Sequence, residues 1–328
     1  MIRTSNGMKK IWQNNKVTVS SALALALLLL ILAYAPIFKP LEYSRSEPPT
    51  GEVSGAATPP EKQVFVPTHL YTPEPVKAIY MTSWVAGTLD WRNRLVKMID
   101  ETELNSIVID IKDYTGRISF EVTDPLLVKY GAVEKRIPDI KDFIEELHKK
   151  HIYVIGRISV FQDPFLVKAR PDLAVKRASD GGVWKDYKGI SWLDAGSEET
   201  WDYIIALAKE SYGIGFDELN FDYIRFPSDG NMKDISYPFS GGKSKPEVLK
   251  SFFAYLDKHL HGTGMVISAD LFGMTTTNTD DLNIGQLFEN TLPYFDYVAP
   301  MTYPSHYPSG FHGYKDPNTV PYEIVKFA

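Results

Sequence analysis

Glu218, Asn220 and Asp222 stand at every second position of the stretch Phe216–Pro227, with Leu219, Phe221 and Tyr223 at the alternate positions. In an extended strand successive side chains point to opposite faces. One face here is therefore polar and the other apolar. Pro227 stops the strand, because its ring fixes φ and it has no amide donor. Polar groups that are buried without partners cost free energy. Core packing gives no reason for this face, whereas a strand that ends in a binding cleft does.

The same period of two recurs elsewhere. Val108, Asp110 and Lys112 share a face, as do Tyr153, Ile155 and Arg157, and Val266, Ser268 and Asp270. In each case the charged residue comes late in the strand. Charges at the C-terminal ends of successive parallel strands converge on one mouth. The chemistry this permits is acid–base work by two carboxylates. Glycoside hydrolysis needs one carboxylic acid to protonate the leaving oxygen, and a second carboxylate as nucleophile or as base for water. Asp222 and Asp270 end strands that are consecutive in the chain, and neighbouring strands lie about 4.8 Å apart. This spacing leaves open which carboxylate is acid and which nucleophile. Lys112, Arg157 and Arg225 are cations that would lower a carboxylate's pKa and bind hydroxyls or acidic sugar groups.

Taken singly, each residue has a structural reading. Asp222 would pair with Arg225, and Asp270 would cap the turn before Gly273. Asp113 falls on the opposite face of its strand and is expected at the surface. Asp194, beside Trp192, is a turn former or a wall of the mouth. His148 and His151 read as a solvated helix end, and His259 and His261 as a helix terminus where imidazolium suits the dipole. There is no HExxH motif and no zinc spacing, and no nucleophile elbow surrounds a serine. No metal and no cofactor are expected.

These side chains need a frame, and the chain from about Pro73 supplies alternating strand and helix signals. Strands are expected over Ala78–Trp84, Ser106–Asp113, Ile152–Phe161, Glu218–Phe226, Met265–Met274 and Tyr297–Tyr303. Helices are expected over Trp91–Leu104, Asp139–His151, Glu198–Ser211, Pro246–His261 and Ile284–Leu292. Ser197 is a plausible N-cap, and proline stands in the first turn of the helix beginning at Pro246. Six strands alternating with helices imply a parallel sheet wrapped by helices. An open doubly wound sheet and a closed barrel both fit, and no Gly-rich phosphate loop follows an early strand. The long aromatic segments 162–196 and 226–245 follow strands, which is where barrel enzymes build their sites.

Upstream, residues 1–16 are short and basic. Residues 17–38 carry no charge, and Ala22–Ala33 is Ala and Leu with one Ile. At 1.5 Å per residue such a run reaches about 33 Å, enough to cross a bilayer core. The expectation is an uncleaved single-pass signal-anchor with its basic tail in the cytoplasm and the C-terminal domain outside. The alternative is secretion after cleavage at Ala33-Tyr34-Ala35, which Pro36 and the length of the run disfavour. Residues 39–72, rich in Pro, Glu, Ser, Thr and Gly, read as an extracytoplasmic linker. The 328 residues include no cysteine, which removes disulfides and thiolate chemistry. A net charge of −6 speaks against nucleic acid as a partner. Six Trp and 19 Tyr offer flat surfaces to sugars as well as core filler.

Three motifs complete the reading. Asn220-Phe221-Asp222-Tyr223-Ile224-Arg225-Phe226-Pro227, Ser268-Ala269-Asp270-Leu271-Phe272-Gly273 and Ala299-Pro300-Met301-Thr302-Tyr303-Pro304-Ser305-His306-Tyr307 stand in this order. Together they resemble a bacterial family classed with the glycoside hydrolases, long known only as a domain of unknown function. The resemblance runs from about Val76 to the last residue. It implies an α/β fold of the (β/α)8 TIM-barrel type, distantly similar to the alpha-amylase-like barrels. By resemblance Asp222 matches the fourth-strand aspartate, where those barrels keep their nucleophile. Asp270 stands at the fifth strand, where they carry a glutamate acid. A TIM barrel has eight strands. Six are legible here and 25 residues follow Tyr303, with Tyr322–Ala328 as the start of a sixth helix. The expectation is a barrel truncated after the sixth strand, with open sheet edges.

The expected function is a membrane-anchored glycosidase acting on a cell-envelope or extracellular polysaccharide or oligosaccharide. Asp222 and Asp270 are its catalytic pair. Asp110, Lys112, Arg157, Glu218, Asn220, Arg225, Tyr303 and His306 are its substrate-binding or supporting groups. The rival readings are a non-catalytic glycan-binding envelope protein on a barrel scaffold, and another hydrolytic chemistry on carbohydrate such as deacetylation.

Overall fold

Strand formation follows the apolar face of each period-two pattern. In a computed structural model, which describes residues 65–328, six strands form one parallel sheet in sequential order. They are β1 Ala78–Met81, β2 Ser106–Lys112, β3 Tyr153–Ser159, β4 Glu218–Asp222, β5 Val266–Phe272 and β6 Tyr297–Met301. The helices are α1 Ser83–Ala86, α2 Leu89–Asp100, α3 Pro125–Tyr130, α4 Ile140–Lys149, α5 Pro164–Ala169, α6 Glu198–Gly213, α7 Lys245–Leu260, α8 Phe288–Thr291 and α9 Pro321–Phe327. The sheet curves into a half-barrel. Its outward residues Ile107, Ile109, Val154, Leu219, Phe221 and Ile267 are fully buried in the layer shared with the helices. Each such side chain contributes about 1.5–3 kcal/mol by leaving water. β1 and β6 are the two edges, and the inward-facing Tyr80 and Tyr297 on them are about half exposed.

Local chemistry sets the element boundaries. The Ser197 hydroxyl accepts from the Thr200 amide at the head of α6. Ser244 and Glu247 form a reciprocal capping box on α7, with Pro246 in the first turn. The strand expected to run to Trp84 stops at Met81, because Thr82 turns and accepts from the Val85 amide to start α1. The strand expected to run to Phe226 stops at Asp222, because Tyr223 takes a left-handed φ of 52°. Helix α3 was not expected, although its signals were present: Asp124 caps it, Pro125 stands in its first turn and Gly131 closes it.

Three further expectations are corrected. Asp113 is buried rather than at the surface, with its carboxylate 2.6 Å from Arg136. His148 is not solvated: its Nε2 lies 2.9 Å from the buried Asp217 carboxylate. Residues 65–72, expected as the end of the linker, lie against the domain. The Leu70 amide donates to Asp217 at 2.6 Å, Thr72 meets the Tyr153 hydroxyl at 3.0 Å, and His69 stacks on Tyr212. The basic tail 1–16, the transmembrane segment 17–38 and the rest of the linker fall outside the described residues. Among the described residues no helix is long and apolar enough to cross a membrane.

Candidate active site

Strand register fixes the geometry. Asp110 pairs with Arg157, Arg157 with Asn220, and Asn220 with Ser268, so these four form a row across β2–β5 on the inner face. The β4–β5 register, continued one residue past Phe221 and Ala269, brings Asp222 level with Asp270 on adjacent strands. The inner face opens on a cavity of about 800 Å³ that Glu218, Asn220, Asp222 and Asp270 line together with Arg157.

Arg157 is the hub. Its guanidinium donates to Asp110 at 2.9 Å and to Asp222, and its Nε lies 3.8 Å from Asp270. Burial works against that charge, but Asp222 and Asp110 beside it hold the proton, and the net effect raises its pKa. The partners of Asp222 are donors: Arg157 and the amide of Tyr223. Asp270 accepts from Asn220 Nδ2 at 3.0 Å. Burial, followed by the neighbouring charges of Asp222 and Glu218, pushes its carboxyl up to about 7, against the pull of Asn220 and Arg157. Two carboxyl groups of different character thus face one space. One is tied to a guanidinium, and the other keeps its proton near neutrality. That pairing is what acid–base catalysis by two carboxylates requires.

The structure brings most of the sequence-derived candidates together. Glu218 sits deeper, accepting from the Tyr153 hydroxyl at 3.1 Å, and burial raises its pKa. Asp110 is also raised by burial and accepts from Tyr80 at 2.6 Å. Tyr303 and His306 reach the rim, with His306 stacked on Phe272. Arg225 lines the cavity over the Trp192 ring and is not the partner of Asp222. Asp194 is buried and accepts the amides of Gly196 and Phe239, so it pins two loops and does not form a wall of the mouth.

Lys112 is the exception. The β2–β3 pairing slips between Asp110 and Lys112, so the alternation breaks there. Lys112 turns away from the cavity and is fully buried, with Nζ 2.6 Å from Asp163 and close to the α6 residue Tyr203. Asp113, the next residue, accepts from the Arg136 side chain. Tyr80 was missed by sequence reasoning. The period of two that marks Ala78 and Tyr80 as inward on β1 was available, but no charge drew attention to it. Among the described residues no cluster of His, Cys, Asp and Glu suits a metal ion.

A family model described as "Putative glycosyl hydrolase domain" matches residues 78–328. A hypothetical protein from Ruminiclostridium thermocellum ATCC 27405 is 36% identical, over 63% of this chain and 98% of that one, with a TM-score of 0.55. Flavobacterium johnsoniae chitobiase is 14% identical over 72% of this chain and 40% of its own, with a TM-score of 0.46. A noncanonic maltogenic alpha-amylase from Thermotoga neapolitana is 12% identical over 70% of this chain and 50% of its own, with a TM-score of 0.43. The chain thus spans no more than half the length of these last two. No curated protein matches it. The family model covers more than half the chain and includes every strand, and on that ground the chain belongs to the glycosyl hydrolase domain family it describes.

Proposed function

We propose that this domain hydrolyses glycosidic bonds of a cell-envelope or extracellular polysaccharide, with Asp270 as general acid and Asp222 as nucleophile or base. The observation that carries the reading is the contrast between the two carboxyls on adjacent strands. Asp270 holds its proton up to about pH 7. Asp222 takes donors from Arg157 and from its neighbouring amide. In the reaction Asp270 gives its proton to the glycosidic oxygen as the bond from that oxygen to the anomeric carbon breaks. Asp222 either attacks that carbon, forming a glycosyl ester that a water deprotonated by the Asp270 carboxylate then hydrolyses, or takes a proton from a water that attacks the carbon directly. Asn220 and Arg157 hold the pair in place, and Tyr303 and His306 on the rim contact sugar rings.

In this reading the apolar run 17–38 anchors the chain in a membrane, with the C-terminal domain outside the cytoplasm. Two experiments test it. Full-length protein should release reducing ends from envelope polysaccharide, and Asp222→Asn and Asp270→Asn should each cut the rate by about 10²–10⁴-fold. Glycan binding without product release, unchanged in both variants, would replace hydrolysis with the glycan-binding reading. Alkaline carbonate should leave the chain in the membrane fraction, with the domain open to protease added outside the cell. Release into the supernatant would remove the anchor.

A further inference from the structure

Arg225 differs from the other arginines of the domain. Arg92, Arg117, Arg136, Arg157, Arg170 and Arg177 each pair with a carboxylate. Among the described residues only Arg225 and the exposed Arg94 make no such pair. Arg225 is only partly exposed, and it lines the same cavity as Asp222 and Asp270. Its guanidinium lies 4.9 Å from the Trp192 ring centre and 5.5 Å from that of Tyr223. One nitrogen, Nη1, donates to the Phe226 carbonyl and the Ser228 hydroxyl. Nε and Nη2 donate to no protein group among the described residues, yet neither is sealed from solvent. A guanidinium carries five N–H donors in a planar fork that matches a carboxylate.

The nearby carboxylates are otherwise engaged. Asp222 is held by Arg157. Asp186 accepts the Lys188 and Ile190 amides and the Trp192 indole. Asp229 accepts the Tyr187 amide. A charge kept half-buried without its own counterion is costly, and burial indeed lowers the pKa of Arg225. A ligand anion would offset that cost.

We propose that Arg225 is the receptor for a carboxylate on the glycan, so that the cavity takes an acidic saccharide with its carboxyl next to the Asp222–Asp270 pair. This rests on the hydrolase reading only for the position of the cleaved bond; recognition of the acidic sugar stands without cleavage. The carboxylate would come either from a uronic acid ring or from an acidic ether substituent such as the lactyl group of muramic acid. Tyr223 and Trp192 lie beside the fork, and Lys would not replace Arg, because a point charge lacks the two parallel donors.

Binding separates this proposal from hydrolysis. Full-length Asp270→Asn protein is titrated with oligogalacturonate, with hyaluronan oligosaccharides and with muramic-acid-containing glycan strands, each against its carboxyl-reduced form. The expected result is binding of at least one acidic probe about tenfold or more tighter than its reduced partner. Arg225→Gln and Arg225→Lys, introduced into the same background, should abolish that preference while melting as the parent does. Which probe shows the preference identifies the source of the carboxyl group. Equal affinity for every pair, no binding to any probe, or a preference that survives Arg225→Gln overturns the proposal. If the Arg225 variants melt early, Ser228→Ala, which removes one Nη1 partner, serves as the folded control, and an unchanged acid preference in the Gln variant at a permissive temperature still counts against the proposal. A preference without reducing-end release by the wild type would sink hydrolysis and leave acidic recognition standing.

Discussion

Asp270 carries the most information of any single side chain in this molecule. Burial and the charge of Asp222 push its folded carboxyl up to about 7, well above the ordinary aspartate value that an unfolded chain gives it. Between about pH 4 and pH 7 the folded state holds a proton that the unfolded state has lost, so stability falls as pH rises through that window. Asparagine at 270 does not ionise. The melting temperature of Asp270→Asn should therefore gain on that of the wild type from about pH 4 to about pH 7 and then hold a constant lead. A lead independent of pH across that range would show that Asp270 is not the titrating group. The identity of this residue as a candidate was legible from the period of two in β5. Its raised pKa was not, because burial and the charge of Asp222 come from packing between strands.

At the scale of elements, strand existence was the readable part and strand ends were not. Alternation and β-branched runs mark β2 to β5 in the sequence, but the slip at the end of β2 depends on pairing with β3. A reader of β2 alone puts Lys112 in the cavity. The structure seals it against Asp163 instead. Asp113 and His148 were misread for a related reason: their partners Arg136 and Asp217 lie 23 and 69 residues away. The Lys112–Asp163 pair has both side chains wholly out of water, so removing one partner leaves an uncompensated charge. Lys112→Met should cost about 3–5 kcal/mol in a denaturant titration. The double variant Lys112→Met, Asp163→Leu should recover much of that, less about 1 kcal/mol for the α5 cap that Asp163 provides to the Leu166 amide. A Lys112 variant as stable as the wild type would contradict the sealed pair.

For the whole molecule, the stretch before β1 is part of the folded domain. Asp217 sits fully buried just before β4 and accepts the amides of Leu70 and Val154, with His148 on its second oxygen. One carboxylate thereby fastens residues 65–72 to two strands and a helix. Asp217→Ala would strand those amides, at about 1–3 kcal/mol each. Hydrogen exchange in residues 65–72 should then quicken well before the sheet does, and unchanged exchange there would refute the tie. The cavity lies between the edge strands β1 and β6, whose inner faces meet water at Tyr80 and Tyr297. The count of six strands foretold the open edges, but nothing in the sequence foretold the tie, since it depends on how residues 65–72 pack beside Asp217. The alternation of strands and helices did foretell the parallel sheet, and the late charges foretold which face would be polar.

The most direct test of the central claim is the pH dependence of glycan cleavage by the full-length chain. Reducing-end release from envelope polysaccharide is followed from pH 4 to pH 9 for the wild type and for Asp270→Asn. Wild-type kcat/KM should fall as pH rises through about 7, where Asp270 loses its proton, and the variant should lose about 10²–10⁴-fold at its optimum together with that limb. A variant that cleaves at the wild-type rate, or that keeps the same alkaline limb, would contradict Asp270 as the acid.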